Sequence, residues 1–136
     1  MSDQATTALF NQAELDYLLG ERRLARLATV GRDGTPHVAP VGWRFDPEHE
    51  LFEVGGLDLA RTKKFRDVAR TGRAALVIDD VLPPWRPRGV EVRGSAEAIE
   101  GDPAVIRIHP ERVVTWGIDT PGVRPGHARS RTRAEG

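Results

Sequence analysis

The stretch whose residue types carry most chemistry is Arg61-Thr62-Lys63-Lys64, a short loop after Gly55-Gly56. Thr62 suits the N-cap of a helix running to Arg70, with Phe65, Val68 and Ala69 as its buried stripe and Gly72 as its stop. The first turn of a helix presents unpaired N–H groups and a partial positive charge. Cations there oppose the dipole unless an anion sits among them, and phosphate is the anion such a turn seats most readily. Two readings follow. Thr62, Lys63 and Lys64, with Arg61 beside them, clamp a phosphate, or they form a basic solvated face. Gly55-Gly56 favours the clamp, because bare backbone lets a ligand approach closely.

A second stretch, Arg23 to Phe45, is built to receive something flat. Two apolar runs, Leu24 to Val30 and His37 to Phe45, flank Gly31-Arg32-Asp33-Gly34, which reads as a β-hairpin. In the second run His37, Ala39, Val41, Trp43 and Phe45 face one way, and Val38, Pro40, Gly42 and Arg44 the other. Pro36 and Pro40 donate no ladder hydrogen bond, so this strand must have an exposed or interrupted edge. His37 is either a polar handle on a ligand face or a histidine hydrogen-bonded at the sheet margin.

The elements that hold these two stretches follow from the rest of the chain. Asn11-Gln12-Ala13-Glu14 fits a capping box opening a short helix with Leu15, Leu18 and Leu19 on its apolar side, Tyr17 either packing at the rim or serving the site, and Gly20 at its end. Leu51 to Val54 and Arg73 to Asp79 read as strands, and Gly89 to Ile99 as an alternating strand bulged at Gly94. Val105 to Ile108 and Arg112 to Trp116 read as two further β segments broken by His109-Pro110. Val81 to Arg88 is a stiff proline-rich loop in which Trp85 and Arg86 either cap the barrel mouth or wall a ligand site. Residues 1–10 read as a flexible arm, 11–119 as the folded domain, and 120–136 as an Arg/Gly/Pro-rich tail. That tail should be mobile, unless Arg124, Arg129, Arg131 and Arg133 fold over an acidic ligand or partner. Six or seven short antiparallel strands with flanking helices imply a mainly β fold, a small barrel.

Composition narrows the chemistry. The 136 residues carry 20 basic and 20 acidic side chains, so the basic excess of a nucleic-acid groove is missing. There is no cysteine for disulfides, thiolate catalysis or Cys-ligated metal. No His/carboxylate spacing suits a metal, and His49 beside Glu48 and Glu50 reads as a solvated turn. No run approaches the ~20 apolar residues of a membrane span, and no leader pattern opens the chain, so a cytoplasmic protein is expected.

In order, the chain has a strand, a G-x-D-G-x-P hairpin with an apolar strand, a third strand, a loop, a T-K-K-F-R-D-V helix and a buried strand. From Leu18 to Ile118 this resembles the pyridoxamine-phosphate-oxidase-like split β-barrel family, and within it the small actinobacterial deazaflavin (F-420)-dependent or FMN-binding reductases. The resemblance implies a six-stranded antiparallel split barrel of the FMN-binding type, and a homodimer with the cofactor site at the subunit interface. It places the family's phosphate-binding pair on Thr62, Lys63 and Lys64. The strand under the ring falls on Ala39, Pro40, Val41 and Gly42, and the strand end before the clamp on Val54, Gly55 and Gly56. Pro40, Val41, Gly55, Gly56, Arg61, Thr62, Lys63 and Lys64 are therefore the expected cofactor contacts, with deazaflavin coenzyme F-420 the first choice and FMN the second. The implied function is hydride transfer to a small organic substrate, in which the cofactor carries the difficult chemistry. The alternatives are a non-catalytic carrier of flavin, deazaflavin or haem, and an interaction module acting through the basic tail. No catalytic side chain is assigned.

Overall fold

In the computed structural model, which describes residues 9–118 and 128–133, the alternation of the hairpin extends into a barrel. The elements are α1 (Gln12–Leu19), β1 (Ala25–Val30), β2 (Pro36–Asp46), β3 (Leu51–Gly55), a 3-10 turn (Leu59–Arg61), α2 (Lys63–Thr71), β4 (Arg73–Leu82), β5 (Arg86–Ile99), β6 (Val105–Trp116) and β7 (Ala128–Thr132). Strands run β3-β2-β1-β4-β5-β6, all pairs antiparallel, and β3 pairs with β6 to close a six-stranded barrel; β7 adds to the other part of β6. Closure removes most of the edges that would otherwise template association.

Every second residue points inward. Leu27, Phe52, Leu76, Ile78, Val92 and Ile106 fill the interior at 0–1% exposure. Removing such side chains from water is the main force holding the sheet shut. At one end Phe10 packs edge-on against Phe45, ring centroids 5.3 Å apart, and Phe45 lies 4.8 Å from Phe52. The flexible-arm reading of residues 1–10 therefore fails at its last two positions: Leu9 and Phe10 are 3% exposed core residues. The rest of that arm lies outside the described residues.

Three further readings change. β6 is one strand rather than two, because the register slips between Arg93 and Gly94 and the extra residue, Glu111, is absorbed as a bulge beside Pro110. Gly94 is required there, since a Cβ would lie 2.0 Å from the His109 carbonyl oxygen. Val81 to Arg88 is mostly the end of a long β4–β5 ribbon, with Trp85 76% exposed at its tip. The tail, expected to be mobile, contains β7. Its apolar-poor sequence still forms a strand, because Arg129 and Arg131 both reach Glu14, a carboxylate with 0% exposure. Arg124 lies outside the described residues.

Candidate functional site

The hairpin turn sets the geometry of the site. Gly31 N–H donates to the Thr35 carbonyl and Gly34 N–H to the Gly31 carbonyl, with Gly34 at φ 87°, a type I turn with a glycine bulge. Counting from that pair, His37, Ala39 and Val41 turn their peptide groups toward β1. The peptide groups of Pro36, Val38 and Pro40 then point to the opposite edge. β3 does not reach that edge, because its pairing with β2 begins at Gly42↔Gly55. The two prolines thus lack their N–H where no strand needs it. Among the described residues, what remains open is the Val38 N–H and three carbonyls.

Beside this edge lies a bare floor. Gly42 and Gly55 are cross-strand partners, and a Cβ on either would meet nothing within 4 Å. Pro40 lies next to them on the same outer face, Val41 is buried beneath, and Gly56 follows at φ 154°. An open groove of about 510 Å³ runs along the same strand, with Pro40, Val41, Gly42 and Trp43 on one side and Arg22, Arg23 and Leu24 on the other. A volume of that size suits a small organic ligand.

The basic segment is at the other end of the β3–α2 loop, and the structure divides its residues. Thr62 is the N-cap: its hydroxyl accepts from Phe65 N–H at 3.3 Å and donates to the Leu59 carbonyl at 2.6 Å. The amides of Lys63 and Lys64, the first two of α2, have no intrahelical acceptor. Lys63 turns back toward the barrel, where its Nζ lies 3.3 Å from Asp67 Oδ1, and it also crowds Gly31. Lys64, half-buried, and Arg61, exposed, carry side-chain cations with no protein partner among the described residues.

Asp67 is the hub that orients this helix, and it takes the buried position assigned in the sequence to Ala69, which is exposed. It accepts from the Thr29 hydroxyl at 2.8 Å, from Lys63 and from Arg70. Burial pushes its carboxyl pKa up, but those three hydrogen bonds outweigh it and hold it below the ordinary value. Arg70 also donates to the Val30 carbonyl, which fixes α2 against the end of β1. His37 lies inside the barrel across from Thr29, and its buried Nδ1 has no hydrogen-bond partner among the described residues.

Residues not singled out for the site support its far wall. Tyr17 is 5% exposed and donates its hydroxyl to Asp80 at 2.8 Å, and Arg23 stacks 3.8 Å from the Tyr17 ring centroid. Arg88 pairs with both Asp80 oxygens, at 2.8 and 3.0 Å, and holds that carboxyl down at about 2. Burial first, and the Asp80 hydrogen bond second, push the Tyr17 phenol well above its ordinary range. Asp46, Glu48 and His49 also converge, with ligand atoms within 4.8 Å, but Asp46 already accepts from two backbone amides and the His49 ring in an exposed turn.

One closed antiparallel barrel thus carries a bare outer floor, an open strand edge and a basic helix start. The family model of pyridoxamine 5'-phosphate oxidase matches residues 12–117, and the chain belongs to that family. It is 41% identical to 5a,11a-dehydrotetracycline/5a,11a-dehydrooxytetracycline reductase of Streptomyces rimosus, covering 93% of this chain and 96% of that one. A second relative, the F420H(2)-dependent biliverdin reductase of Mycobacterium tuberculosis, is 38% identical over 58 residues, 43% of this chain and 41% of that one. A solved F420 reductase shares the fold with a TM-score of 0.57 at 22% identity, covering 72% of this chain and 94% of the other. The protein is an oxidoreductase of the pyridoxamine-phosphate-oxidase-like class. No helix among the described residues is long and apolar enough to cross a membrane.

Proposed function

We propose that this protein is a deazaflavin (F-420)-dependent reductase of a small, unsaturated organic substrate, with FMN as the second choice of cofactor. The observation that carries the reading is the Gly42–Gly55 pair: a side-chain-free floor beside an open strand edge accepts a planar ring system edge to edge. Bound in its reduced form, the cofactor supplies a hydride to an electron-poor double bond, and a proton completes the reduction. The chain's own part is to bind and orient. Lys64 and Arg61, with the free amides of Lys63 and Lys64, hold the phosphate. Thr62 keeps the helix start open for it, while Lys63 acts mainly on Asp67. Pro40, Val41, Gly55 and Gly56 lie under or beside the ring. The unsaturated substrates named for the Streptomyces relative are the first to test.

The outer face around this floor mixes exposed apolar side chains with two ion pairs, Arg26–Asp79 and Arg44–Glu53. Leu24 is 51% exposed, Val30 46%, Val38 65% and Val81 44%, all on neighbouring strands β1, β2 and β4 or just before them. Exposed apolar side chains beside an open strand edge are normally covered. We read it as the homodimer face, with the floor at the interface, in a cytoplasmic enzyme.

The test is a fluorescence titration of the purified protein with F-420 and with FMN, beside Lys64→Ala and Lys63→Ala. Losing one charge-assisted phosphate contact should weaken binding by about 10- to 100-fold in Lys64→Ala. Lys63→Ala should act mainly on stability. Equal effects of the two variants on affinity, or no binding of either cofactor, would sink the reading. Tight binding without turnover of any acceptor would favour a carrier.

A further inference from the structure

The groove beside the floor carries more positive charge than the protein neutralises. Arg23 is a fixed wall: it donates to the carbonyls of Tyr17 and Glu21 at 2.8 and 2.9 Å, and its buried Nε has no hydrogen bond, only a 3.5 Å contact with Asp80. Asp80 is already paired with Arg88. Arg22 is different. One Nη1 bond to the Trp43 carbonyl, at 3.0 Å, holds its guanidinium over the groove, and its other N–H groups have no protein partner among the described residues. Below it Leu24, Pro40 and Gly42 leave a small apolar bed, bordered by Arg26 opposite Pro40, whose guanidinium is already paired with Asp79 at 3.2 Å.

A tethered guanidinium with free donors above a small apolar bed is a recognition site for a planar ligand with an anionic edge. A guanidinium's planar fork matches a carboxylate or an enolate pair, and an apolar wall strengthens the contact by excluding water. We propose that the groove is the substrate subsite, that the substrate is a flat, ring-fused anion, and that Arg22 is its charge-reading, specificity-determining residue. This rests on the reductase reading, since the groove shares Pro40, Val41 and Gly42 with the proposed cofactor floor and would set the substrate alongside the ring.

The test uses two probes of one shape, 9,10-anthraquinone-2-carboxylate and its neutral carboxamide, titrated calorimetrically into the full chain. Wild type should bind the carboxylate about tenfold more tightly than the carboxamide, a preference that shrinks at high salt. Arg22→Gln should erase the preference while binding the carboxamide as wild type does, and Arg22→Lys should restore part of it. Arg112→Gln, which removes an exposed arginine on β6 away from the groove, should change nothing. The proposal is overturned if wild type does not distinguish the probes, or if Arg22→Gln weakens both alike, which would make Arg22 a prop for the Trp43 carbonyl. Cofactor affinity of Arg22→Gln should equal wild type. The Lys64→Ala titration tests the reductase reading separately, so either can fail without the other.

Discussion

Glu14→Gln should be among the most destabilising single substitutions in this chain, although glutamine has nearly the same shape. The carboxylate has 0% exposure and accepts from five donors: Asn11 N–H at 3.0 Å, the Thr115 hydroxyl at 2.6 Å, Arg129 Nε and Nη2 at 3.0 and 2.9 Å, and Arg131 Nη2 at 2.7 Å. The Thr115 hydroxyl can turn to accept, but each carboxylate oxygen also faces an arginine N–H or a backbone amide, so the new amide NH2 must still point a donor at a donor. Burial pushes the Glu14 pKa up, yet hydrogen bonds from Arg129, Thr115 and Asn11 and the charge of Arg131 more than reverse this and leave it lowered. For Arg131 the balance is opposite: burial prevails over the attraction of Glu14 and lowers it to about 10, still charged at neutral pH. The intact pair is therefore worth little net, while half of it is worse than none.

Removing one partner of a buried pair costs about 3–5 kcal/mol, which in a chain of this length lowers the melting temperature by about 10–15 °C. Arg131→Met leaves Glu14 with Arg129 and Thr115 and should cost about 2 kcal/mol. The Arg129 side chain is 32% exposed, so solvent screening brings Arg129→Met to about 1 kcal/mol. Urea unfolding followed by circular dichroism at pH 7 measures all three, and the Glu14→Gln/Arg131→Met double variant should lose less than the sum. A Glu14→Gln loss below about 1 kcal/mol, or a larger loss for Arg129→Met, would refute the idea that one buried carboxylate fastens β7 to α1.

Two further perturbations separate the site from the scaffold. Gly42→Val puts a β-branched residue into a strand where a Cβ meets nothing within 4 Å, so melting should stay within about 2 °C of wild type while cofactor affinity falls at least about tenfold; retained affinity would remove the floor from the site. Asp80, held at about 2 against an ordinary 3.8, has a depressed folded-state pKa, so its contribution is full above about pH 4 and is lost as pH falls toward 2. With its 32% exposure discounted, that amounts to about 1 kcal/mol. Urea midpoints at pH 6 and pH 3 should therefore differ less in Asp80→Asn than in wild type, and an equal difference in both would contradict the assignment.

The parts legible in the sequence were those fixed by local periodicity and capping. The alternation from His37 to Phe45, the Thr62 cap and the Gly72 stop stand as read, with Gly72 at φ 68° donating its N–H to the Val68 carbonyl at 2.8 Å. Asn11 and Glu14 form their capping box, but the same carboxylate also anchors a strand more than a hundred residues away, which no local pattern encodes. β7 was missed because its period of two is written in charges rather than apolar residues. Arg129, Arg131 and Arg133 alternate, the first two reaching Glu14 and the third the carbonyls of Pro110 and Glu50. Pro110 misled for a related reason. A proline ends a regular strand, but a bulge that supplies one extra residue lets the strand continue.

The two lysines show why residue type alone does not define a site. On a helix, neighbours point about 100° apart, and residues four apart share a face. Lys63 therefore shares a face with Asp67, the buried carboxylate that pins α2 to β1, and its charge is largely used there. Lys64 falls on the next face, where nothing in the described chain answers it. An unanswered cation at a helix N-terminus is unfavourable without an anion beside it. That cost is relieved only when an anion arrives, so Lys64 contributes more to binding than to folding, and Lys63 the reverse. Any ligand that reverses this division must approach α2 from the barrel side, where Asp67 already stands.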